Sequence, residues 1–170
     1  MTEFLIRPAS SVDAPVIATI HASTMGRTSM QVPPGDAASP RVLRFWREAI
    51  DYAEPQLHVA CAADVVVGVV GFDRSRDPAT PPTVGEIWTI QVLPAYWGQG
   101  AGLALWDTAR EELLQEGCTE VSVWIGLEND RAMRFHALAG FKRVMSSART
   151  IVLSGRRSEQ IRLKRKLQPA

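Results

Sequence analysis

Cysteine is scarce in this sequence: Cys61 and Cys118 are the two thiols in 170 residues, far apart and outside any metal-ligand spacing. Free thiols in a reducing compartment are expected, and no metal site. Charge of one sign is lacking too. Nineteen Lys and Arg against eighteen Asp and Glu leave a formal net charge of +1, so nothing at whole-chain level points to nucleic acid or an anionic membrane. No window approaches the roughly 20 apolar residues of a membrane span. Residues 1–8, with Glu3 and Arg7, lack the apolar stretch of a signal peptide. The expectation is a cytoplasmic chain with no nucleic-acid or membrane partner. Internal repeats and low-complexity segments are also absent, and the length suits one domain over residues 1–170.

What is present reads as interleaved helices and strands. Phe4 to Arg7 suggests a strand, and Val16, Ile17 and Ile20 a first helix ending near Met25-Gly26. Pro33, Pro34 and Gly35 make the stretch from Arg27 to Asp36 a loop. Ser39-Pro40 then opens a second helix with the favoured order of cap and proline. From Leu57 the period changes to that of strands. Gln56 to Ala62 and Val65 to Phe72 predict a hairpin around Ala63-Asp64. Val84 to Leu93 predicts a strand with Glu86, Trp88 and Ile90 on one face and Ile87, Thr89 and Gln91 on the other. A helix from about Gly100 to Glu116 follows, its apolar face including Leu103, Trp106 and Leu113. Then come a strand at Val121 to Ile125, a short helix from Asn129 to Ala139, and, from Phe141 to Leu167, two or three strands joined by a polar turn near Ser154-Gly155. In that last stretch Arg162, Lys164, Arg165 and Lys166 alternate with apolar residues and read as a solvated strand face. This is a mixed α/β (α+β) order, not a regular doubly wound one.

The most informative stretch runs from Val92 to Leu103. A strand enters a loop with Gly98, Gly100 and Gly102, and the loop opens a helix. Glycines there allow positive φ and close approach of the backbone to a ligand. The free N–H groups and the dipole of the helix start favour a phosphate or diphosphate. A P-loop would need Gly-Lys-Ser/Thr, which Gly102-Leu103 does not supply. A dinucleotide fingerprint needs its glycines directly after the strand, whereas Pro94 to Trp97 intervene. Glu128 keeps an oxidoreductase binding a dinucleotide open as an alternative.

This segment resembles motif A of the GNAT superfamily of N-acetyltransferases, Arg/Gln-x-x-Gly-x-Gly/Ala after a strand ending Val-x-Pro. Trp97 stands where the family usually has Arg or Gln. Asn129, Ala132, His136 and Gly140-Phe141 resemble motif B, with His136 in place of its usual Tyr. The resemblance implies a mostly antiparallel, splayed sheet flanked by about four helices, with acetyl-CoA as co-substrate in the splay. Gln91, Val92 and Leu93 would offer backbone hydrogen bonds to pantetheine. Trp97, Gly98, Gln99, Gly100, Ala101, Gly102 and Leu103 would wrap the diphosphate, and Asn129 would help bind the cofactor while capping its helix. Val92 N–H would polarise the thioester carbonyl.

Direct attack on a thioester by a primary amine needs deprotonation of the amine, an oxyanion donor and a proton for the thiolate. His136, at the family's Tyr position, is the candidate general acid. Glu86, amid apolar neighbours on the strand before motif A, is the candidate base. His21 and His58 carry no supporting spacing and are read as structural. The acceptor, a small-molecule or peptide amine, matches no pattern, and the resemblance leaves room for a homodimer. A fold that binds coenzyme A as a sensor without catalysis stays open beside the transferase reading.

Overall fold

The computed structural model describes residues 2–24, 30–153 and 155–168. The expected end of the first helix at Met25-Gly26, the start of the loop at Arg27 and the turn residue Ser154 lie outside the described residues. Among the described residues eight strands form one sheet, ordered β1-β2-β3-β4-β5-β8-β6, with β7 also on β8. They are β1 (Leu5–Pro8), β2 (Gln56–Ala62), β3 (Val65–Arg74), β4 (Val84–Val92), β5 (Glu120–Gly126), β6 (Lys142–Arg143), β7 (Arg149–Leu153) and β8 (Arg156–Lys166). Among these strands only β4 and β5 pair in parallel; every other neighbour is antiparallel. The helices are α1 (Ala14–Ser23), α2 (Pro40–Tyr52), α3 (Ala101–Gln115) and α4 (Asp130–Leu138). No helix among the described residues is long and apolar enough to cross a membrane.

Two apolar layers hold the sheet. On one face α3 buries Leu105, Ala109 and Leu113 against Val67, Val70, Phe72 and Ile87. On the other, α1 and α2 bury Ile17, Ile20 and Trp46 against Leu57, Val59 and Val69. The approach of α3 is close: a Cβ on Gly85 of β4 would stand 2.8 Å from Leu113 Cδ2. Cys61 and Cys118 are free, buried thiols in separate layers. The second helix starts as its sequence predicts, with Ser39 Oγ accepting from Val42 N–H and Pro40 at the first helical position.

Two expectations need correction. Leu103 is 53% exposed and does not join the apolar face of α3. The regular alternation along β4 also fails. Thr89 faces Gly71 and Ile87 faces Phe72 in the β3–β4 register, so Trp88 is an extra residue, a β-bulge. Trp88 stays with the α1/α2 layer, whereas Ile90 packs with the α3 layer. Period-two reading cannot see a bulge, because the inserted residue inverts every position beyond it. The C-terminal strand shows a similar limit. Arg162 and Lys164 are paired with Asp77 and Glu120, while Arg165 leans over the Trp106 ring on the α3 side.

Candidate active site

The bulge coincides with the end of β4–β5 pairing. Those strands pair from Val84↔Glu120 to Ile87↔Val123 and no further, although β4 runs to Val92 and β5 to Gly126. Beyond Ile87 the sheet is split, and the split opens into a cleft of about 430 Å³. Ser23 and Thr24 at the end of α1 line one side, Ile90, Gln91 and Val92 the floor, and the glycine loop and α4 the rest.

Register decides which backbone groups face the cleft. Leu93 N–H donates to Val67 O (2.9 Å), so Leu93 and, by alternation, Gln91 direct their peptide groups to β3. Ile90 and Val92 direct theirs to the open edge. Of the three residues expected to offer backbone bonds, Val92 alone is therefore turned to the cleft; Ile90 was missed because the bulge was invisible. Gln91 still lines the cleft although its peptide faces β3, and Leu93 is absent from the lining.

The glycine loop has the form its sequence suggests. Gly98 (φ +74°) and Gly100 (φ +97°) are left-handed, and a Cβ at either would meet nothing within 4 Å. Their need for glycine is thus conformational. Gly102 is different: it is helical, and a Cβ there would lie 3.1 Å from the Phe135 ring of α4. Ala101, Gly102 and Leu103 begin α3 and line the cleft. Gln99 turns away, its amide donating to Ala95 O (3.2 Å) and its carbonyl accepting from Thr2 Oγ1 (2.7 Å). Trp97 donates its indole N–H to Val92 O (2.7 Å), tying the loop to the end of β4.

Helix α4 supplies the opposite wall. Asn129 caps it, Oδ1 accepting from Ala132 N–H (3.2 Å). His136 is 2% exposed, its ring edge-on to Phe135 and Phe141, each 5.1 Å away. Burial lowers its pKa from 6.5 to about 4, outweighing the bond to Ala132. Nδ1 lies 2.8 Å from the Ala132 carbonyl. A carbonyl only accepts, so the single proton of the neutral ring is on Nδ1 and Nε2 carries a lone pair. The acid expected of His136 needs a proton where this arrangement puts an acceptor. Arg131, which sequence reading overlooked, also lines the cleft, its guanidinium 3.4 Å from the Trp97 ring centroid. Its spacing of four from Phe135, on the face that meets the glycine loop, was the available signal.

Glu86 does not line the cleft. It is fully buried, with Oε1 accepting from the main-chain N–H (2.9 Å) and Nε (3.3 Å) of Arg76 and Oε2 from Nη2. Arg76 thus takes three of the roughly four acceptor sites of this carboxylate, and the cleft does not reach it. His21 and His58 pack against Trp46 and Phe72, and burial lowers both pKa values.

A sheet split at a β-bulge, with a glycine loop opening a helix at the split, defines the acetyltransferase class of fold. Two solved structures share it over nearly their whole length. An N-acetyltransferase from Staphylococcus aureus Mu50 has a TM-score of 0.78 at 17% identity, covering 98% of this chain and 100% of that one. The putative acetyltransferase yncA from Salmonella typhimurium, solved with acetyl-CoA, has a TM-score of 0.74 at 22% identity, covering 98% and 95%. Residues 24–141 match the profile of the Acetyltransferase (GNAT) family, and the chain belongs to that family. Among curated relatives, a mycothiol acetyltransferase from Kocuria rhizophila is 36% identical over 78 residues, 44% of this chain and 26% of that protein. An uncharacterized N-acetyltransferase from Archaeoglobus fulgidus is 38% identical over 60 residues, 35% of this chain and 41% of that protein. The matches thus span well under half the length of these relatives.

Proposed function

We propose that this chain transfers an acetyl group from acetyl-CoA to a primary amine by direct attack within the cleft. One observation carries the reading: β4 leaves β5 at Ile87 and presents Ile90 and Val92 backbone groups beside a left-handed glycine loop. Loop amides from Gly98 to Gly102 hold the diphosphate, and the open edge of β4 takes pantetheine in place of a strand. Val92 N–H, directed to the same edge, is the oxyanion donor for the thioester carbonyl. Positioning of this kind supplies on the order of 7–11 kcal/mol of the barrier reduction.

The proton passes through His136. Its unprotonated Nε2 accepts the proton that the amine loses on attack and returns it to the departing CoA sulfur, leaving the ring neutral again. Glu86 anchors Arg76 and thereby the loop after β3; the amine loses its proton without it. The acceptor enters from the α1 side of the split, where Ser23 and Thr24 line the cleft.

The test is thiol release from acetyl-CoA with a panel of amines, beside thermal shifts with acetyl-CoA, CoA and NAD. Amine-dependent release is expected. A bound cofactor at a hundred times its dissociation constant should add about 2.7 kcal/mol of stability. His136→Phe should lower kcat by about 100-fold or more while leaving CoA affinity within a few-fold. A shift with CoA but no turnover with any amine would leave a sensor, and a shift with NAD alone would sink the assignment.

A further inference from the structure

Trp97 takes the place of the Arg or Gln expected in a motif A loop, and so removes a phosphate-binding side chain from it. Helix α4 returns a cation to the same spot. The Arg131 guanidinium lies over the Trp97 ring, and both line the cleft beside Gly98 and Gly100. Three contacts fix this geometry. The indole N–H is bonded to Val92 O, so the ring cannot rotate away. Phe135, one turn after Arg131, abuts Gly102 so closely that a Cβ there would stand 3.1 Å from its ring. Asn129 caps the helix two residues before Arg131.

Charge is left over at this point. Among the described residues no carboxylate lies within ion-pair distance of Arg131. Burial, and after it the like charge of Arg134, pulls its pKa below the usual arginine value. A guanidinium stacked by its face keeps all its N–H donors in the plane, where a phosphate can accept two of them side by side. A paired arginine would spend those donors on a carboxylate; this one holds them at the mouth of a cradle built for an anion.

We propose that Arg131, stacked on Trp97, is the diphosphate-binding side chain of this site, supplied by α4 in place of the missing loop residue. The proposal deepens the acetyl-CoA reading above and rests on it. Trp97 then has two tasks: its N–H ties the loop to β4, and its face holds the guanidinium in one orientation.

Isothermal titration of the whole chain with CoA, dephospho-CoA and pantetheine tests this directly. Arg131→Ala should weaken CoA and dephospho-CoA alike, by about 10-fold to 100-fold, and leave pantetheine unchanged. Arg131→Lys should fall between, because an ammonium keeps the charge without the planar fork. Restoring an arginine in the loop, as Trp97→Arg with Arg131→Ala, should recover most of the lost affinity. Melting temperatures without ligand should agree among variants; if Arg131→Ala misfolds, Arg131→Lys and Arg131→Gln carry the comparison. Unchanged CoA affinity, or an equal loss for pantetheine, overturns the proposal. A loss for CoA but not for dephospho-CoA moves Arg131 to the 3′-phosphate and overturns it as stated. Failure of the unaltered protein to bind CoA strikes instead at the acetyl-CoA reading.

Discussion

The two walls of the cleft are built by different means. The wall formed by the glycine loop and α4 depends on local backbone rules: two left-handed glycines, an Asn cap and a helical glycine against Phe135. The wall at the end of α1, with α2 packed behind it, depends on burial, with Ile17, Ile20 and Trp46 pressed onto strands β2 and β3. Local rules make the first wall specific for a ligand whose shape does not vary. A wall held by nonspecific apolar packing can change its lining without losing its place, which suits the side that must fit an acceptor. Changes in the first wall should therefore alter cofactor binding or its chemistry, and changes in the second should alter stability or acceptor fit and leave cofactor binding unchanged.

The largest effect is expected at His136, where site and stability meet. Burial holds its pKa at about 4 in the folded chain against 6.5 in the unfolded one. The folded value is the lower, so this group's contribution is fully present above pH 6.5. It is lost as pH falls toward 4, because only the unfolded state binds the proton in that interval. The contribution is about 3 kcal/mol in full and about 2 kcal/mol between pH 7 and pH 5. His21 and His58 titrate in the same direction, so the measurement is a difference. Urea midpoints at both pH values should fall less for His136→Phe than for the unaltered chain. Parallel falls would show that the ring is not held neutral.

Next in size is Gly100→Val. A valine at φ +97° has room for its Cβ, but its backbone is strained, at a cost of about 1–3 kcal/mol. If the loop relaxes to a negative φ instead, its amides turn from the cradle. CoA affinity should fall by about 30-fold, corresponding to about 2 kcal/mol, with the apolar layers unchanged by near-ultraviolet circular dichroism. An unaltered affinity would mean that the loop does not hold the ligand by its main chain.

The same division explains what could be read in the sequence. Gly98, Gly100, Asn129 and Ser39-Pro40 announce their conformations because each residue type has few alternatives where it stands. The bulge at Trp88 leaves no such mark: it arises from pairing with β3, and it decides that the backbone of Ile90 and not that of Gln91 faces the cleft. Arg76 taking up Glu86 across the β3–β4 turn, and Arg131 stacking on Trp97 from beyond α3 and β5, are likewise meetings that the fold and not the local sequence brings about. Position relative to the two motifs made Glu86 a candidate base and His136 a candidate acid. The hydrogen-bond partner, which the fold supplies, determines whether either has a lone pair or a proton to offer.

The smallest effect should come from Ser39→Ala, which tests the second wall. Ser39 Oγ accepts from Val42 N–H at 3.3 Å, satisfying one free donor at the start of α2. Its loss should cost about 1 kcal/mol of stability. Val42, Trp46 and Ala49 on that helix are buried in the α1/α2 layer, far along the chain from the glycine loop. CoA affinity should accordingly stay within about twofold, since sites without shared partners rarely couple by more than a few tenths of a kcal/mol. A tenfold loss of CoA affinity here would join the two walls into one cooperative unit, and acceptor fit and cofactor grip could then no longer be altered separately.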